Sequence, residues 1–590
     1  MKQKNASVWK AVRFLLGYVL RNRALAVICT VCVVLNSLCG IAAPYLLRPI
    51  INDYIPAGAA GKLVRAVILL GGIYLLGVLS AWVSARLMIR ISQKTTRDIR
   101  NDLFARIQTL PVSSLDGKTH GDFMSCFTGD IETINDAVNT ALNNILSGII
   151  TFVGVVTMML LISPLLCLIS ACFLAAMYSL VRFSGSRSRF YFQRQQKQLG
   201  ALNGYIQEII SGLKVVKVTG HEAQAVEGFQ SHNRGLTESA NAAQTFAGIL
   251  MPALGGTASI NTAVSLCAGA VFVILGWIDL GSLVAYSQYL SQAGRPVATI
   301  SNQWNLILAA TAGTERIMEV LSQEPEPVSG SVTLSEGSWR TDSGSVACRG
   351  AVEFRNVSFS YGETEVLHDI SFTAEPGQKI ALVGSTGAGK TTILSLLTRF
   401  YEPCGGQILL DGIPAGDIRL ADLRSCFGAV LQDTHLFTDT VRENIRFGDP
   451  EADDAAVVRA AELASADFFL SHLPEGYDSM LSGDGGNLSA GQRQLIAIAR
   501  GIIAGRPVLL LDEATASVDT WTEHQIEQGM DRLMEGRTVL IIAHRLSTVR
   551  NADCILVLEQ GRILERGTHQ ELLDRKGRYY DLYTGAVELS

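Results

Sequence analysis

The chain has 590 residues, too many for one hydrophobic core, so several domains are expected. Hydrophobic residues make up 48%, charged residues only 17%, and the mean hydropathy is +0.27; this excludes an ordinary soluble enzyme and points to membrane spans. The net charge of −5 leaves no basic surface that argues for nucleic acid.

Met1 to Arg23 has a basic start but lacks the short apolar core and small residues of a cleavable signal peptide. It reads as an amphipathic helix (1–23) on the cytoplasmic interface. Val8, Val12, Leu15, Leu16 and Val19 share one face, with Lys10 and Arg13 elsewhere. A helical membrane domain (24–321) is expected next, with about six apolar runs near 24–47, 64–88, 137–162, 164–184, 247–276 and 281–309. Each is close to the roughly 20 residues that a bilayer needs. Ser163-Pro164 and Trp277-Ile278-Asp279 are the only breaks between spans three and four and between five and six, so both should be outer hairpin tips.

Lys and Arg set the expected orientation. Arg86, Arg90, Lys94, Arg97, Arg100 and Arg106 follow span two. Arg182, Arg187, Arg189, Arg194, Lys197, Lys214 and Lys217 follow span four. The positive-inside rule puts these connections and both termini in the cytoplasm of a cell (plasma or inner) membrane. The pattern from Arg86 to Leu110 stays helical although it is too polar for lipid; at about 1.5 Å per residue it extends on the order of 35 Å beyond the bilayer. Arg187 to Asn233 looks similar. Such extensions suit levers that contact a cytoplasmic domain.

Arg295 lies inside span six beside Pro296. A charge there either serves a substrate path or faces a water-filled cavity without touching substrate, and Pro296 loosens the helix. Asn36, Asn143, Asn261 and Asn302 are scattered among apolar walls that would suit many amphipaths. The 11 cysteines show no metal spacing and read as reduced, buried thiols.

The Pro-, Gly- and Ser-rich stretch at 322–350 reads as a linker. Beyond it, from 351 to 590, strands alternate with helices as in a parallel α/β domain. There Gly384-Ser-Thr-Gly-Ala-Gly-Lys390-Thr391 fits G-x-x-x-x-G-K-[ST], between an apolar strand, Lys379 to Val383, and a helix, Thr392 to Arg399. Backbone N–H groups of such a loop and the helix start line an anion site for nucleotide phosphates. Lys390 can reach the β- and γ-phosphates, and the Thr391 hydroxyl can hold Mg²⁺. Val508-Leu-Leu-Leu-Asp512-Glu513 is a buried strand that ends in an acidic pair: Asp512 suits Mg²⁺, and Glu513 suits a general base. Between them, Leu488-Ser489-Ala490-Gly491-Gln492 caps an alanine-rich helix and offers a second anion-binding end.

With these elements in this order, the chain resembles the ATP-binding cassette (ABC) transporter family, and in layout an exporter-type half-transporter. The resemblance implies an all-α domain of six membrane helices with long cytoplasmic extensions, followed by an α/β P-loop ATPase. It implies ATP and Mg²⁺ as cofactors. Gly384, Ser385, Thr386, Gly387, Ala388, Gly389, Lys390, Thr391 and Thr392 match the phosphate loop, and Tyr361 matches the aromatic that stacks on adenine. Gln432 matches a residue that touches Mg²⁺ or water, Asp519 a loop that crosses a dimer interface, and His544 the γ-phosphate switch. With Lys390 and Glu513, Gln432 and His544 form the implied catalytic set; Thr391, Gln432 and Asp512 form the metal set. Ser489 and Gly491 would cover the nucleotide of a partner cassette. The bends near Leu115–Gly121 and Val216–Glu222 are the expected contacts between levers and cassettes.

Two departures bear on pairing. Ala490 replaces the usual first glycine of the Leu-Ser-Gly-Gly-Gln segment, and Asp484 stands in a shortened spacer before it. Glu513 and His544 match the catalytic consensus. A second half-transporter is therefore implied, a heterodimer slightly favoured over a homodimer. The expected activity is ATP-driven export of a hydrophobic or amphipathic compound, such as a drug, lipid or peptide, with the lipid bilayer and a small amphipathic substrate as partners. Uptake of a metal chelate, or a channel or sensory regulator gated by ATP, is the alternative.

Overall fold

The computed structural model describes residues 2–117, 119–328, 330–342, 344–431, 434–512, 519–543 and 549–584. The side chains at 2–8, 142, 174, 177, 178, 180–189, 246, 247, 250, 251, 254, 295, 297, 298, 301, 302, 304 and 305 stand outside that description. The chain divides into two compact units, Met1–Gln108 with Thr119–Gln323, and Thr109–Lys118 with Glu324–Ser590.

The first unit is helical. Helix α1 covers Lys2–Leu20, α2 Arg23–Tyr45, α3 Ala60–Ile107, α4 Leu142–Ile162, α5 Pro164–Ser211, α6 Leu213–Thr219, α7 Glu222–Ile274 and α8 Leu280–Ser322. Six of these run through the six expected spans. Four described segments are long and apolar enough to cross a membrane: Arg23–Tyr54, Ala60–Ile107, His120–Ile162 and Gly255–Ile274. Span four is met by the shorter apolar stretch Pro164–Phe173, at the start of α5. Span six lies on α8, where the side chain of Arg295 is outside the described residues.

Helices α3 and α5 have 48 residues each. At about 1.5 Å per residue each is roughly 70 Å long, more than twice a bilayer's hydrocarbon core. The helix starts follow from capping. Ser163 accepts from the Leu166 N–H and Pro164 opens α5, where its missing donor costs nothing. Asp279 accepts from the Ser282 N–H at 2.7 Å and starts α8. Arg48 and Asn52, just beyond α2, also donate to Asp279, and Gly281 N–H donates to Asn52. A Cβ on Gly281 would stand 2.6 Å from the Arg48 carbonyl oxygen, so only glycine admits this approach. Apolar side chains of α3 such as Val64, Ile68, Leu75 and Val78 are exposed, a face suited to lipid rather than water. Several polar groups inside the unit are paired: Tyr286 with Ser170, the Tyr289 hydroxyl to the Ile41 carbonyl, and Arg316 forked onto buried Asp130.

The second unit is built on a six-stranded sheet. Strands β1 (Thr333–Ser335), β2 (Ser338–Thr341) and β3 (Gly344–Ala347) form a small antiparallel sheet. A second sheet comprises β4 (Val352–Tyr361), β5 (Thr364–Ala374), β7 (Gly405–Leu410) and β8 (Ile413–Pro414). The main sheet has β6 (Lys379–Val383), β9 (Phe427–Val430), β10 (Val508–Asp512), β11 (Thr538–Ile542), β12 (Cys554–Glu559) and β13 (Arg562–Gly567) in the order β13-β12-β6-β11-β10-β9. All pairs are parallel except β12 with β13.

The continuous apolar runs reflect burial on both faces. Leu509, Leu511, Val539 and Ile541 enter one hydrophobic cluster, and Val508, Leu510, Leu540 and Ile542 enter another. Each such side chain contributes on the order of 2 kcal/mol by burial.

Composition predicts a linker over 322–350, but the structure folds 333–335, 338–341 and 344–347 into β1–β3. Trp339 explains the difference: it is fully buried, and its Nε1–H donates to Asp411 at 2.9 Å. The thiols also differ in part from expectation. Among the described residues the 11 cysteines form no disulfide, but Cys172, Cys267 and Cys404 are exposed and only four are buried.

Candidate nucleotide site

The loop 384–389 connects β6 to α9 (Lys390–Leu397). A Cβ on Gly384 would stand 2.2 Å from the Leu558 carbonyl oxygen, so the loop passes against β12 only as glycine. Gly389 caps α9 with φ +98°, a left-handed value that glycine adopts without strain. Ala388 packs into the core and its N–H bonds back to the Ser385 carbonyl at 3.1 Å, while Thr386 and Gly387 face out. The loop is thus fixed at its ends and open at its crown.

Lys390 is buried, and its Nζ donates to the carbonyls of Gly384 and Ser385. Burial lowers its pKa and the nearby Asp512 carboxylate pushes it back up. The cation at the start of α9 and the carboxylate at the end of β10 therefore face one space. Thr391 is exposed beside it, whereas Thr392 is buried and turned into the fold. A phosphate chain fits this donor set, which offers N–H groups, a helix start and an ammonium. A divalent cation fits the Thr391 and Asp512 oxygens beside it.

Ser489 caps the helix α10, Ala490–Ala504, through a reciprocal box: Gln492 N–H donates to its hydroxyl at 3.2 Å, and its own N–H donates to Gln492 at 2.9 Å. Gly491 is buried and Ala490 exposed. Asp484 has φ +58° and turns back to His435 at 2.8 Å and to the Leu436 N–H. Among the described residues no hydrogen bond joins Ser489–Gln492 to the loop at 384–391. Asp519 caps α11 (Thr520–Met534), and this bond holds its carboxyl below the usual range. Gln432, Glu513 and His544 lie outside the described residues.

No local sequence pattern announces the contacts beside Tyr361. This exposed ring stands edge-on to Tyr401 at 5.0 Å and to Phe359 at 4.8 Å. The Tyr401 hydroxyl donates to Asp116, and burial, reinforced by Asp116, pushes its pKa up. Arg424 forks onto Glu326 at 2.7–2.8 Å, and Glu326 N–H donates to the Thr109 carbonyl. A 610 Å³ cavity opens between Tyr361, Tyr401 and Asp116. Tyr401 and Asp116 are 285 residues apart, too far for any local pattern to pair them.

Long membrane helices fused to a P-loop α/β unit define a membrane-bound ATPase. The description "ABC transporter transmembrane region" matches residues 26–297, and "ABC transporter" matches 367–516. An uncharacterized ABC transporter ATP-binding protein of Bacillus subtilis is 40% identical over 98% of this chain and 94% of its own length. The fatty acid ABC transporter ATP-binding/permease protein of Mycobacterium bovis is 40% identical over 88% and 80%. The ATP-dependent lipid A-core flippase of Syntrophus aciditrophicus is 34% identical over 94% and 90%. A bacterial Atm1-family ABC exporter, solved with ATP bound, superposes with a TM-score of 0.75 at 28% identity, covering 96% of this chain and 98% of the other. The chain belongs to the ABC transporter family. It is a multi-pass membrane protein that couples ATP hydrolysis to transport, with ATP and Mg²⁺ as cofactors, and it works as a half-transporter in a dimer.

Proposed function

We propose that the chain exports a lipid or lipid-like amphipath from the cytoplasmic side of the plasma membrane. The observation that carries this reading is the union of the Lys390–Asp512 site with lipid-facing helices roughly 70 Å long, in a chain whose relatives include proteins named for fatty acid transport and lipid flipping. Those names favour export over uptake or gating.

Bound ATP with Mg²⁺ supplies the hydrolysable phosphate and the charge that draws two cassettes together. The protein's part falls to residues from both chains. The loop N–H groups and Lys390 hold the phosphates, and Tyr361 stacks on the base. Thr391, Asp512 and Gln432 hold the metal. Glu513 orients the attacking water, and His544 holds the γ-phosphate end. Ser489 and Gly491 cover the partner's nucleotide, and Asp519 packs across the interface. The bends at Leu115–Gly121 and Val216–Glu222 carry closure to the spans, with both termini in the cytoplasm. Ala490 and Asp484 favour a heterodimer, in which this chain keeps Glu513 and lends the altered segment to its partner.

The test is ATPase activity in lipid nanodiscs, with Glu513→Gln as the inactive control. Stimulation by lipid amphipaths supports the export reading, and no response to any of them sinks it. Robust turnover by this chain as sole subunit removes the heterodimer.

A further inference from the structure

Two cysteines of the cassette unit meet although 78 residues separate them: Cys348 Sγ stands 3.6 Å from Cys426 Sγ. Cys348 follows β3, and Cys426 joins the short helix Leu420–Ser425 to β9. The two thiols differ in access. Cys426 is fully buried, in one apolar cluster with Leu423 and Val508, whereas Cys348 is partly exposed.

The surrounding backbone fixes this contact. The Asp411 carboxylate gathers the stretch after β3: it accepts from the N–H groups of Arg349, Gly350 and Ala351 at 2.8–3.2 Å, and from Trp339 Nε1–H. Cys348 N–H donates to the Gly337 carbonyl at 2.9 Å. A Cβ on Gly350 would stand 2.9 Å from the Val508 side chain, so this stretch lies close against β10. Val508 N–H in turn donates to the Cys426 carbonyl at 3.1 Å. A disulfide, at about 2.05 Å, therefore requires the sulfurs to close by about 1.5 Å. A metal does not account for the pair. Both Asp411 oxygens are engaged with N–H donors, and no group of three or more ligating side chains occurs among the described residues.

The two sulfurs also differ in charge state. Cys426 S–H donates toward the Cys348 sulfur and lowers the Cys348 pKa, against burial and Asp411. The same contact, with burial, raises the Cys426 thiol. Cys348 loses its proton first, at the sulfur that solvent reaches. An accessible thiolate beside a second thiol is the arrangement of redox-sensing pairs.

We infer that Cys348 and Cys426 form a peroxide-reactive dithiol that closes reversibly to a disulfide. The Cys348 thiolate attacks one oxygen of a hydroperoxide. An S–O bond forms and the O–O bond breaks. The leaving oxygen takes up the proton that Cys348 gave up, and departs as an alcohol, or as water from hydrogen peroxide. The Cys426 sulfur then attacks the Cys348 sulfenic acid. The S–S bond forms, and the Cys426 proton leaves with the hydroxyl as water. Two thiols together lose two electrons, and one hydroperoxide gains them. The bond ties the exit of β3 to the start of β9, an edge strand of the main sheet.

The experiment treats the full-length protein in phosphatidylcholine nanodiscs with hydrogen peroxide. Remaining thiols are blocked with N-ethylmaleimide, and peptides from a digest without reductant are mapped by mass spectrometry. The peptide containing Cys348 is expected joined to the one containing Cys426, two hydrogens lighter than the separate pair, and dithiothreitol should part them. Exposed Cys404 reports the oxidant dose. Cys426→Ser should leave Cys348 as a sulfenic acid that dimedone traps. Cys348→Ser should abolish oxidation of Cys426. Absence of the linked peptides from the wild type, at a dose that oxidises Cys404, overturns the inference. Oxidation of Cys426 in Cys348→Ser at that dose also overturns it, because Cys426 would then be reached directly. Where a variant fails to fold, the wild-type comparison decides by itself. None of these readouts requires nucleotide or transport, so failure of the export reading leaves them unchanged.

Discussion

Lys390 is held by the fold at the proposed phosphate site. Its ammonium is buried against the Gly384 and Ser385 carbonyls and balanced by Asp512, so it is held in place at the loop. Lys390→Ala should reduce ATPase activity by about 10²-fold or more, as losing a positioned charge-stabilising donor does, and nucleotide binding measured by fluorescence should weaken with it. Asp519 is a simpler case. Its cap bond depresses its pKa, so the stability it contributes is present above the unfolded pKa, roughly 3.9, and is lost as pH falls through the folded value. Asp519→Ala should lower the thermal midpoint by the same amount from pH 8 to pH 5, and the gap should narrow only below roughly pH 3.9. The thiols give a third test. Cys348 Sγ stands 3.6 Å from Cys426 Sγ, and that contact, with burial, pushes the Cys426 thiol up. A maleimide at pH 7 should modify exposed Cys404 and spare Cys426.

At the scale of elements, the segment 109–117 is informative because it groups with the cassette unit although its sequence neighbours belong to the helical unit. Of the two bends expected as contacts, this is the one that the cassette unit contains in part; Val216–Glu222 belongs to the helical unit. Tyr401 ties the segment to the Tyr361 ring. Tyr401→Phe keeps the edge-on ring contact but removes the hydroxyl that reaches Asp116. Nucleotide affinity should hold while lipid stimulation of the ATPase falls; loss of affinity instead would mean that the hydroxyl serves the nucleotide. Within the helical unit, Arg316 forks onto Asp130, whose side chain is only 9% exposed. Arg316→Ala should cost about 2 kcal/mol, below the full value for a buried pair because Arg316 is half in solvent. Thermal unfolding of the full chain in detergent measures it.

For the whole molecule, the sequence determined the class and the fusion of membrane and ATP-binding regions, and it pointed to the phosphate loop. The eight residues from Gly384 to Thr391 are legible because phosphate binding constrains a contiguous loop. The apolar runs are legible because a bilayer demands length and composition, not partners. Strands β6 and β10 are legible because burial on both faces leaves an apolar run of four residues beside one polar end.

Tertiary structure decided what local pattern does not encode. A Trp in a Ser- and Gly-rich stretch gives no sign that Asp411 awaits it 72 residues on, so 333–347 reads as a linker until β1–β3 fold. Tyr401 and Asp116 meet because folding brings them together across 285 residues. Local chemistry is written in neighbours along the chain; packing and its unsatisfied atoms exist only once distant segments have excluded water together.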